Sequence, residues 1–287
     1  MSRQAYVNGR YVPHAKAAVH IEDRGYQFAD GVYEVITVYQ GALVDEEPHL
    51  DRLERSLREL QIDMPMSRAA LKQVTREVIR RNRVTRGIVY MQITRGVAPR
   101  NHKFPDRAKP ALVMTARQMK PHSPEMLSEG VGVITVPDLR WARCDIKSVS
   151  LLPNILAKQQ AAEADCYEAW QVDPEGYVTE GTSSNAWIVT AEGTVVTRDL
   201  SHAILSGITR ASLVRLIAEA GYTLEERPFT VAEAMGAKEA FATSSTSFVM
   251  PVTRIDDTPL GNGHPGLLCG KLRAAYVDYM TSLKAFA

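Results

Sequence analysis

The sequence predicts a two-domain protein that mixes helices and strands, of the α+β or α/β class. Its 287 residues, 45% of them hydrophobic and 23% charged, suffice for two hydrophobic cores. Segments with the two-residue period of strands alternate with segments of helical period. Residues 119–124, Met-Lys-Pro-His-Ser-Pro, are typical of a linker. We therefore predict a small N-terminal α/β domain (residues 1–119), a linker (120–125) and a larger C-terminal domain of mixed strands with helices (126–287).

The N-terminal half is predicted to start with a β-hairpin. Asn8 and Gly9 stand between two β-prone arms, and an Asn-Gly pair supplies the positive φ angles of a type I′ turn. Tyr33 and Glu34 are neighbours in the next strand, so their side chains should point to opposite faces. Tyr33 by itself is typical of a packed core ring. The strands predicted after the hairpin are residues 31–39, 87–94 and 111–117.

Two amphipathic helices are predicted between these strands. The first, residues 47–62, carries leucines along one side, and the second starts at the capping residue Ser67. Arg52 lies off the apolar stripe of the first helix, which is the position of an exposed arginine. A guanidinium fork nevertheless suits a phosphate monoester better than a lysine does.

The C-terminal half alternates short strands with helices. A hydroxyl-rich cluster that contains Ser244 and Ser245 follows a short strand, and by itself such a cluster is usually a loop. The other predicted strands are residues 130–136, 167–172, 186–189 and 194–197. The predicted helices are residues 147–164 and 209–220, a helix that begins at Thr230 with capping-box spacing, and a tail over residues 267–286.

A lysine and a glutamate in this half point to chemistry. Lys147 stands between Ile146 and the apolar run 149–152, so its amine is a candidate for burial and for a Schiff base. A lysine that snorkels from a strand end fits the same pattern. Glu180 follows among Gly, Thr, Ser and Asn, which predicts a carboxylate at a strand end facing a polar pocket. There it could keep the ring nitrogen of an aromatic base protonated.

A candidate phosphate cradle follows at residues 205–210, Leu-Ser-Gly-Ile-Thr-Arg. Gly207 lets the backbone approach a ligand, Thr209 is a candidate N-cap, and the N–H groups of a first helical turn bind anions. Each signal is weak alone, because helix starts of this kind are common. A lysine, a carboxylate and a phosphate cradle together are what pyridoxal phosphate requires of a protein.

Four longer motifs extend this pattern: residues 24–34 (Arg-Gly-Tyr-Gln-Phe-Ala-Asp-Gly-Val-Tyr-Glu), 49–53 (His-Leu-Asp-Arg-Leu), 144–148 (Cys-Asp-Ile-Lys-Ser) and 179–185 (Thr-Glu-Gly-Thr-Ser-Ser-Asn). With them the chain resembles, nearly end to end, the fold-type IV pyridoxal-phosphate aminotransferases, and most closely the D-amino acid aminotransferases. The resemblance implies the two-domain fold of that family. It also implies transamination between D-amino acids and 2-oxo acids, of the type that converts D-alanine and 2-oxoglutarate into pyruvate and D-glutamate.

The resemblance implies a role for each candidate residue. Lys147 would hold the cofactor through a Schiff base and then act as the general base. Glu180 would keep the cofactor ring an electron sink. The residues implied to anchor the cofactor phosphate are Arg52, Ile208, Thr209, Ser244 and Ser245, and those implied to help hold the ring are Arg140 and Leu205.

Residues 95–105, by themselves, predict an exposed basic loop. The loop carries Arg100 and His102 two positions apart. This pair resembles the Arg-x-His pair with which the D-amino acid aminotransferases bind the substrate α-carboxylate. A tyrosine at the position of Tyr33 takes part in the same binding in that family. The neighbouring subunit lends the loop in that family, so a homodimer is implied.

Three related activities and one binding function stay open as alternatives. Branched-chain L-amino acid aminotransferases of the same fold lack the Arg-x-His pair, which makes it the main discriminator. An (R)-amine transaminase or an aminodeoxychorismate lyase would share Lys147 and Glu180. A cofactor-binding protein without turnover would need no general base, so Lys147 argues against it.

Composition disfavours other partners. A formal net charge of +1 gives no long-range field, so neither nucleic acid nor an acidic membrane is favoured. The 3 cysteines lack Cys-x-x-Cys spacing, which argues against a disulfide framework or a zinc site and fits a reducing compartment. With neither a signal-peptide core nor a run of about 18 apolar residues, we predict a cytoplasmic protein.

Overall fold

The structure, a computed structural model, describes residues 3–286. These residues form two compact units. The first consists of residues 3–120, 146–150 and 281–286, and the second of residues 121–145 and 151–280. The domains predicted from the sequence were continuous, whereas the units are not, because residues 146–150 pair with a strand of the first unit. The division at residues 120–125 stays a prediction.

The first unit contains a six-stranded sheet. Its strands are β1 (Gln4–Val7), β2 (Arg10–Pro13), β3 (Gly31–Tyr39), β4 (Ala42–Leu43), β5 (Gly87–Thr94) and β6 (Ala111–Gln118). They lie in the order β2-β1-β6-β5-β3-β4, and every pair is antiparallel. Asn8 and Gly9 join β1 to β2 with φ angles of 45° and 91°, so the predicted hairpin with two positive φ angles is confirmed.

Helices cover this sheet. They are α1 (Arg24–Phe28), α2 (Glu46–Glu59) and α3 (Arg68–Asn82), preceded by a short 3-10 helix at His14–Lys16. Helices α2 and α3 were both predicted from the sequence. Ser67 caps α3 as predicted, because its Oγ accepts a hydrogen bond from the N–H of Ala70. Leu50, Leu53 and Leu57 of α2 are buried in the core of the unit, which positions the polar residues between them.

The second unit contains a nine-stranded mixed sheet. Its strands are β7 (Val131–Pro137), β8 (Glu168–Val172), β9 (Val178–Gly181), β10 (Asn185–Val189), β11 (Val195–Thr197), β12 (Leu224–Glu226), β13 (Glu239–Ser244), β14 (Phe248–Ile255) and β15 (Thr258–Pro259). They lie in the order β12-β11-β10-β13-β14-β7-β8-β9, with β15 beside β14. The pairs β11–β12, β14–β7 and β7–β8 are parallel. Trp170, Phe229 and Met250 belong to its buried core.

The helices after residue 120 are α4 (Pro124–Glu129), α5 (Leu152–Glu163), α6 (Ile208–Glu219), α7 (Val231–Met235) and α8 (Leu267–Ser282). The helix predicted over residues 147–164 was wrong at its start, because Lys147 uses its backbone to pair with β3. The predicted N-cap of α6 was also wrong. Gly207 occupies that position, and Thr209 lies in the first turn. Within residues 3–286, no helix is long and apolar enough to cross a membrane.

Candidate active site

Lys147 lies on a non-helical segment of the first unit, beside the start of β3. Its carbonyl accepts a hydrogen bond from the N–H of Tyr33 at 3.0 Å, and its own N–H donates to Ser56 Oγ at 3.3 Å. Lys147 Nζ lies 4.3 Å from the centre of the Tyr33 ring. The backbone on both sides of the side chain is therefore fixed, and the half-buried amine stands over the tyrosine ring.

A second tyrosine continues this wall of the site. The rings of Tyr33 and Tyr90 stack with their centres 5.8 Å apart, and the Tyr90 hydroxyl donates to Gln92 Oε1 at 2.6 Å. Burial raises the pKa of Tyr90 to about 12, so its hydroxyl keeps its proton at neutral pH. Tyr33 is thus a half-buried residue beside Lys147 and not a core ring.

Glu34 points to the opposite face of β3 and is completely buried. Arg52 donates from Nε and Nη2 to its two carboxylate oxygens, both at 2.8 Å, and His49 Nδ1 lies 2.7 Å from Oε2. Burial opposes ionisation, but the charge and hydrogen bonds of Arg52 and the hydrogen bond of His49 lower the pKa of Glu34 to about 2. Burial also lowers the pKa of His49, so a neutral imidazole donates to the carboxylate.

Arg52 is consequently buried, whereas its place off the apolar stripe predicted exposure. Glu34 holds the guanidinium along the edge formed by Nε and Nη2. The role implied for Arg52, binding of the cofactor phosphate, stays a prediction. Because Glu34 compensates its charge, Arg52 would act mainly as an oriented donor.

Glu34→Gln should destabilise the protein by about 3–5 kcal/mol, because it leaves the Arg52 guanidinium buried without its carboxylate. The difference is measured as the free energy of unfolding in denaturant near neutral pH. The depressed pKa of Glu34 makes the contribution of its charge complete above the ordinary pKa of 4.5, and the contribution is lost as the pH falls towards about 2. Wild type and variant should therefore converge in acid.

Glu47→Gln is the matched control for this prediction. Glu47 belongs to α2, the helix that carries Arg52, and is also ion-paired, with Arg68 at 2.8 Å, but 57% of its side chain is exposed. Its loss should change the free energy of unfolding by no more than about 1 kcal/mol. Equal effects of the two substitutions would show that the buried pair has no special importance.

In the second unit, Glu180 of β9 is buried and surrounded by donors. Arg140 Nη1 donates to Oε1, and Asn185 Nδ2 donates to Oε2 at 3.1 Å. The N–H of Leu205 contacts both oxygens at 3.1 and 3.2 Å. Arg140 is held in turn by Asp138 at 2.6 Å. The structure therefore brings together three residues predicted for the site, Glu180, Arg140 and Leu205.

The start of α6 lies next to this carboxylate. Asn185, which binds Glu180, also donates to the carbonyl of Leu205 at 3.0 Å. A Cβ atom on Gly207 would lie 2.0 Å from Asn185 Oδ1, so only glycine fits there. As the N-cap, Gly207 has no side chain to satisfy the first N–H groups of α6, where Ile208 and Thr209 are buried. These N–H groups suit an anion such as phosphate.

The predicted hydroxyl cluster is the turn between β13 and β14. Ser244 ends β13, and its Oγ accepts hydrogen bonds from the N–H groups of Thr246 at 3.3 Å and Ser247 at 3.1 Å. Asn185 pairs with Thr243 across the sheet, which places this turn at the end of β10 where Asn185 lies. Ser244 therefore shapes the turn, and Ser245 follows it immediately.

Arg100 and His102 lie on the exposed loop between β5 and β6. The Arg100 guanidinium stands 4.6 Å from the centre of the Phe28 ring, and the His102 ring lies 5.5 Å from the same ring. The structure thus brings these two residues together on Phe28. Their predicted pairing with Tyr33 involves the loop of a neighbouring subunit and stays a prediction.

Sequence reasoning did not single out Glu34 and His49, which hold Arg52, or Asn185, which binds Glu180. A glutamate inside an otherwise apolar strand was one available signal, since an unpaired charge is costly to bury. His49 precedes Arg52 by one helical turn, a spacing that places both side chains on one face. Nothing in the sequence pattern singles out Asn185 from its neighbours, because its role depends on a loop that follows much later.

Comparisons with known proteins identify the family of the chain. The model of the family described as amino-transferase class IV matches residues 31–255. The chain is 43% identical over 276 residues to a D-alanine aminotransferase of Bacillus licheniformis, covering 96% of each chain. It is 37% identical over 279 residues to that of Staphylococcus aureus strain MSSA476, covering 96% of this chain and 98% of the other.

A solved structure shows the same fold. A branched-chain amino acid aminotransferase from T.th., determined with pyridoxamine 5′-phosphate, superposes with a TM-score of 0.92 at 25% identity, covering 99% of this chain and 96% of the other. The fold and the matched sequence define a class IV aminotransferase, and the chain belongs to that family. The family and the fold class predicted from the sequence are confirmed.

Proposed function

We propose that this protein is a pyridoxal-phosphate-dependent D-amino acid aminotransferase, which moves the amino group of D-alanine and related D-amino acids to a 2-oxo acid such as 2-oxoglutarate. The observation that carries the proposal is the 43% identity to a D-alanine aminotransferase over 96% of both chains. The Arg-x-His pair at residues 100–102 supports the same substrate class.

The residues described above fit pyridoxal phosphate. When bound, the cofactor supplies an aldehyde that bonds amines and a ring that withdraws electrons. Each described partner of Glu180 donates a hydrogen bond to its carboxylate oxygens. A carboxylate that acts only as an acceptor suits a ring nitrogen that carries a proton. Within the second unit, the first turn of α6, with Ile208 and Thr209, and the turn at Ser244 and Ser245 suit a phosphate. For Arg52 of the first unit, the same role is implied by the family resemblance. Arg140 and Leu205 hold Glu180 in place.

Two properties of Lys147 suit the proton transfer. Its backbone is bonded to Tyr33 and Ser56, so the position of the side chain is set by its own rotamers alone. Its amine lies 4.3 Å from the centre of the Tyr33 ring, so the nitrogen has a defined place in the site. In the proposed reaction Lys147 Nζ would accept the proton from the substrate Cα and would later donate it again, while the bound cofactor would supply the electron-withdrawing ring.

Glu180→Gln should lower kcat about 10²- to 10³-fold while the cofactor stays bound, because an amide does not stabilise a protonated ring nitrogen. Cofactor content is measured by visible absorbance, and the rate of Cα proton removal by exchange with deuterated water. Glu175→Gln, in an exposed turn, is the control and should change neither. An unaltered rate of exchange would remove Glu180 from the proposed site.

A branched-chain aminotransferase is the second candidate, because the solved structure with a TM-score of 0.92 is one. Its identity of 25% is much lower than the 43% to a D-alanine aminotransferase. Purified protein with pyridoxal phosphate and 2-oxoglutarate is therefore offered D-alanine, L-leucine and (R)-1-phenylethylamine in separate assays. D-Alanine should give the highest kcat/KM. A higher value for L-leucine would overturn the proposed substrate class.

We further propose that the enzyme works as a homodimer in the cytoplasm. The exposed loop with Arg100 and His102 supports the first point, since a carboxylate site gains strength only when a second surface excludes water from it. The cysteine usage, with no Cys-x-x-Cys spacing, is compatible with the second. Sedimentation of the purified protein tests the dimer.

A further inference from the structure

The loop between β5 and β6 is closed at its base. Gly96 has a φ angle of 95°, and a Cβ atom on it would lie 2.0 Å from the carbonyl oxygen of Lys109. The two ends of the loop thus touch, as in an Ω-loop. The N-terminal end is tied to α1 as well, because the N–H of Arg24 donates to the Gly96 carbonyl at 2.9 Å. These contacts hold the two ends of the loop but not its tip, which carries Arg100 and His102.

The side chain of Arg24 contacts the backbone of that tip. Its side chain is 4% exposed, and Nη1 donates to the carbonyl of Asn101 at 2.5 Å and contacts that of Lys103 at 3.3 Å. These two residues flank His102 on either side. The Asn101 carbonyl belongs to the peptide that precedes His102, and the Lys103 carbonyl belongs to the peptide one residue after it. A guanidinium that binds both carbonyls therefore anchors the backbone before and after His102 and limits the orientations that the histidine can take.

Phe28 contacts both Arg24 and Arg100, so it also limits the position of Arg100. The Arg24 guanidinium lies 4.9 Å from the centre of the Phe28 ring and that of Arg100 lies 4.6 Å from it. His102 contacts this ring too, at 5.5 Å. One short helix, α1, therefore supports both loop donors, through a hydrogen-bonding residue at its start and an aromatic residue at its end.

Asp30 anchors Arg24 without depending on it. Arg24 Nε donates to Asp30 Oδ2 at 2.7 Å. Arg95 binds the same carboxylate through Nε at 2.7 Å and Nη2 at 3.0 Å, and sends its other hydrogen bonds to the carbonyls of Leu60 and Gln61. A change at Arg24 therefore leaves Asp30 paired, while the hydrogen bonds to the Asn101 and Lys103 carbonyls are lost.

We propose that Arg24 is a positioning residue for substrate recognition, which presets the loop so that Arg100 and His102 face one carboxylate. This inference rests on the proposed function in one respect, namely that these two residues bind the α-carboxylate of the substrate. Arg24 itself touches neither substrate nor cofactor. Because Arg24 orders the loop before the substrate arrives, substrate binding does not have to supply the free energy of ordering it.

The test compares wild type with Arg24→Lys, which keeps a positive charge but lacks the planar guanidinium whose Nε binds Asp30 while Nη1 binds the two carbonyls. Lys103→Ala is the matched control, since it removes an exposed side chain from the same loop and keeps the Lys103 carbonyl. Hydrogen exchange at the amides of residues 100–104 should become about tenfold faster in Arg24→Lys. It should stay unchanged in Lys103→Ala. Unchanged exchange in Arg24→Lys overturns the proposal.

Kinetics supply the second measurement. Arg24→Lys should lower kcat/KM for D-alanine about tenfold, mainly through KM, and alter that for (R)-1-phenylethylamine less than about twofold. A general loss of structure would affect both substrates equally, which also overturns the proposal. If Arg24→Lys does not fold, Arg24→Gln, whose amide can serve one carbonyl, takes its place. Wild type that fails to act on D-alanine refutes the proposed function, whereas unchanged loop exchange refutes only the role of Arg24.

Discussion

Lys147→Ala should reduce transamination of D-alanine by at least about 10²- to 10⁴-fold, the range that a positioned acid–base group contributes. The protein should also lose the visible absorbance and the reducible covalent bond that an amine makes with the aldehyde of pyridoxal phosphate. Alanine keeps the backbone N–H and carbonyl that bind Ser56 and Tyr33. The fold should therefore survive, and the loss should lie in chemistry. Borohydride reduction followed by peptide mass analysis identifies the bonded lysine.

Lys158→Ala is the control for this experiment. Lys158 lies on α5, and its amine contacts the carboxylate of Glu168 at 3.5 Å, so it is another lysine held near a buried acid. Its removal should leave the absorbance and the activity close to those of wild type. If reduction labelled Lys158 in place of Lys147, the catalytic assignment would be wrong.

The strands of the first unit could be predicted closely because their signals are local. Alternation gave β3 and β5 with the bounds that the structure shows, and the Asn-Gly pair gave the first hairpin. The start of α5 could not be predicted in this way. Residues 147–149 have no strand partner nearby in sequence, and β3, with which they pair, lies more than 100 residues earlier. A long-range contact there overrides local helical propensity.

In the candidate site, too, the features that depend on local sequence could be predicted and those that depend on long-range contacts could not. Lys147, Glu180 and the Gly207 turn could be proposed from the sequence because each lies in a short motif with its own chemistry. The burial of Arg52 was not found, since its partner Glu34 belongs to a different element. The hydrogen bonds of Arg24 to Asn101 and Lys103 likewise join residues more than 75 positions apart. Side-chain networks of this kind depend on the assembled fold and leave no period in the sequence.

Arg100→Ala should lower kcat/KM for D-alanine and D-glutamate roughly tenfold to a hundredfold, which corresponds to the loss of about 1.5–3 kcal/mol from one charge-assisted hydrogen bond to a desolvated carboxylate. The amine (R)-1-phenylethylamine has no carboxylate, so its reaction should not slow. It could become faster, because removing Arg100 also removes the cost of burying an unpaired charge when the amine binds. The ratio of the two kcat/KM values, wild type against variant, is the quantity to measure.

Arg107→Ala provides the matched control for this ratio, because Arg107 is an exposed arginine of the same loop that lies outside the Arg-x-His pair. It should change neither substrate's kcat/KM. A merely solvated basic loop would give small and equal effects for Arg100→Ala and Arg107→Ala, and the substrate ratio would not move. That result would contradict both carboxylate recognition by Arg100 and the assignment of D-amino acids as substrates, because the branched-chain enzymes of this fold manage without the pair. A ratio that falls in Arg100→Ala alone supports both.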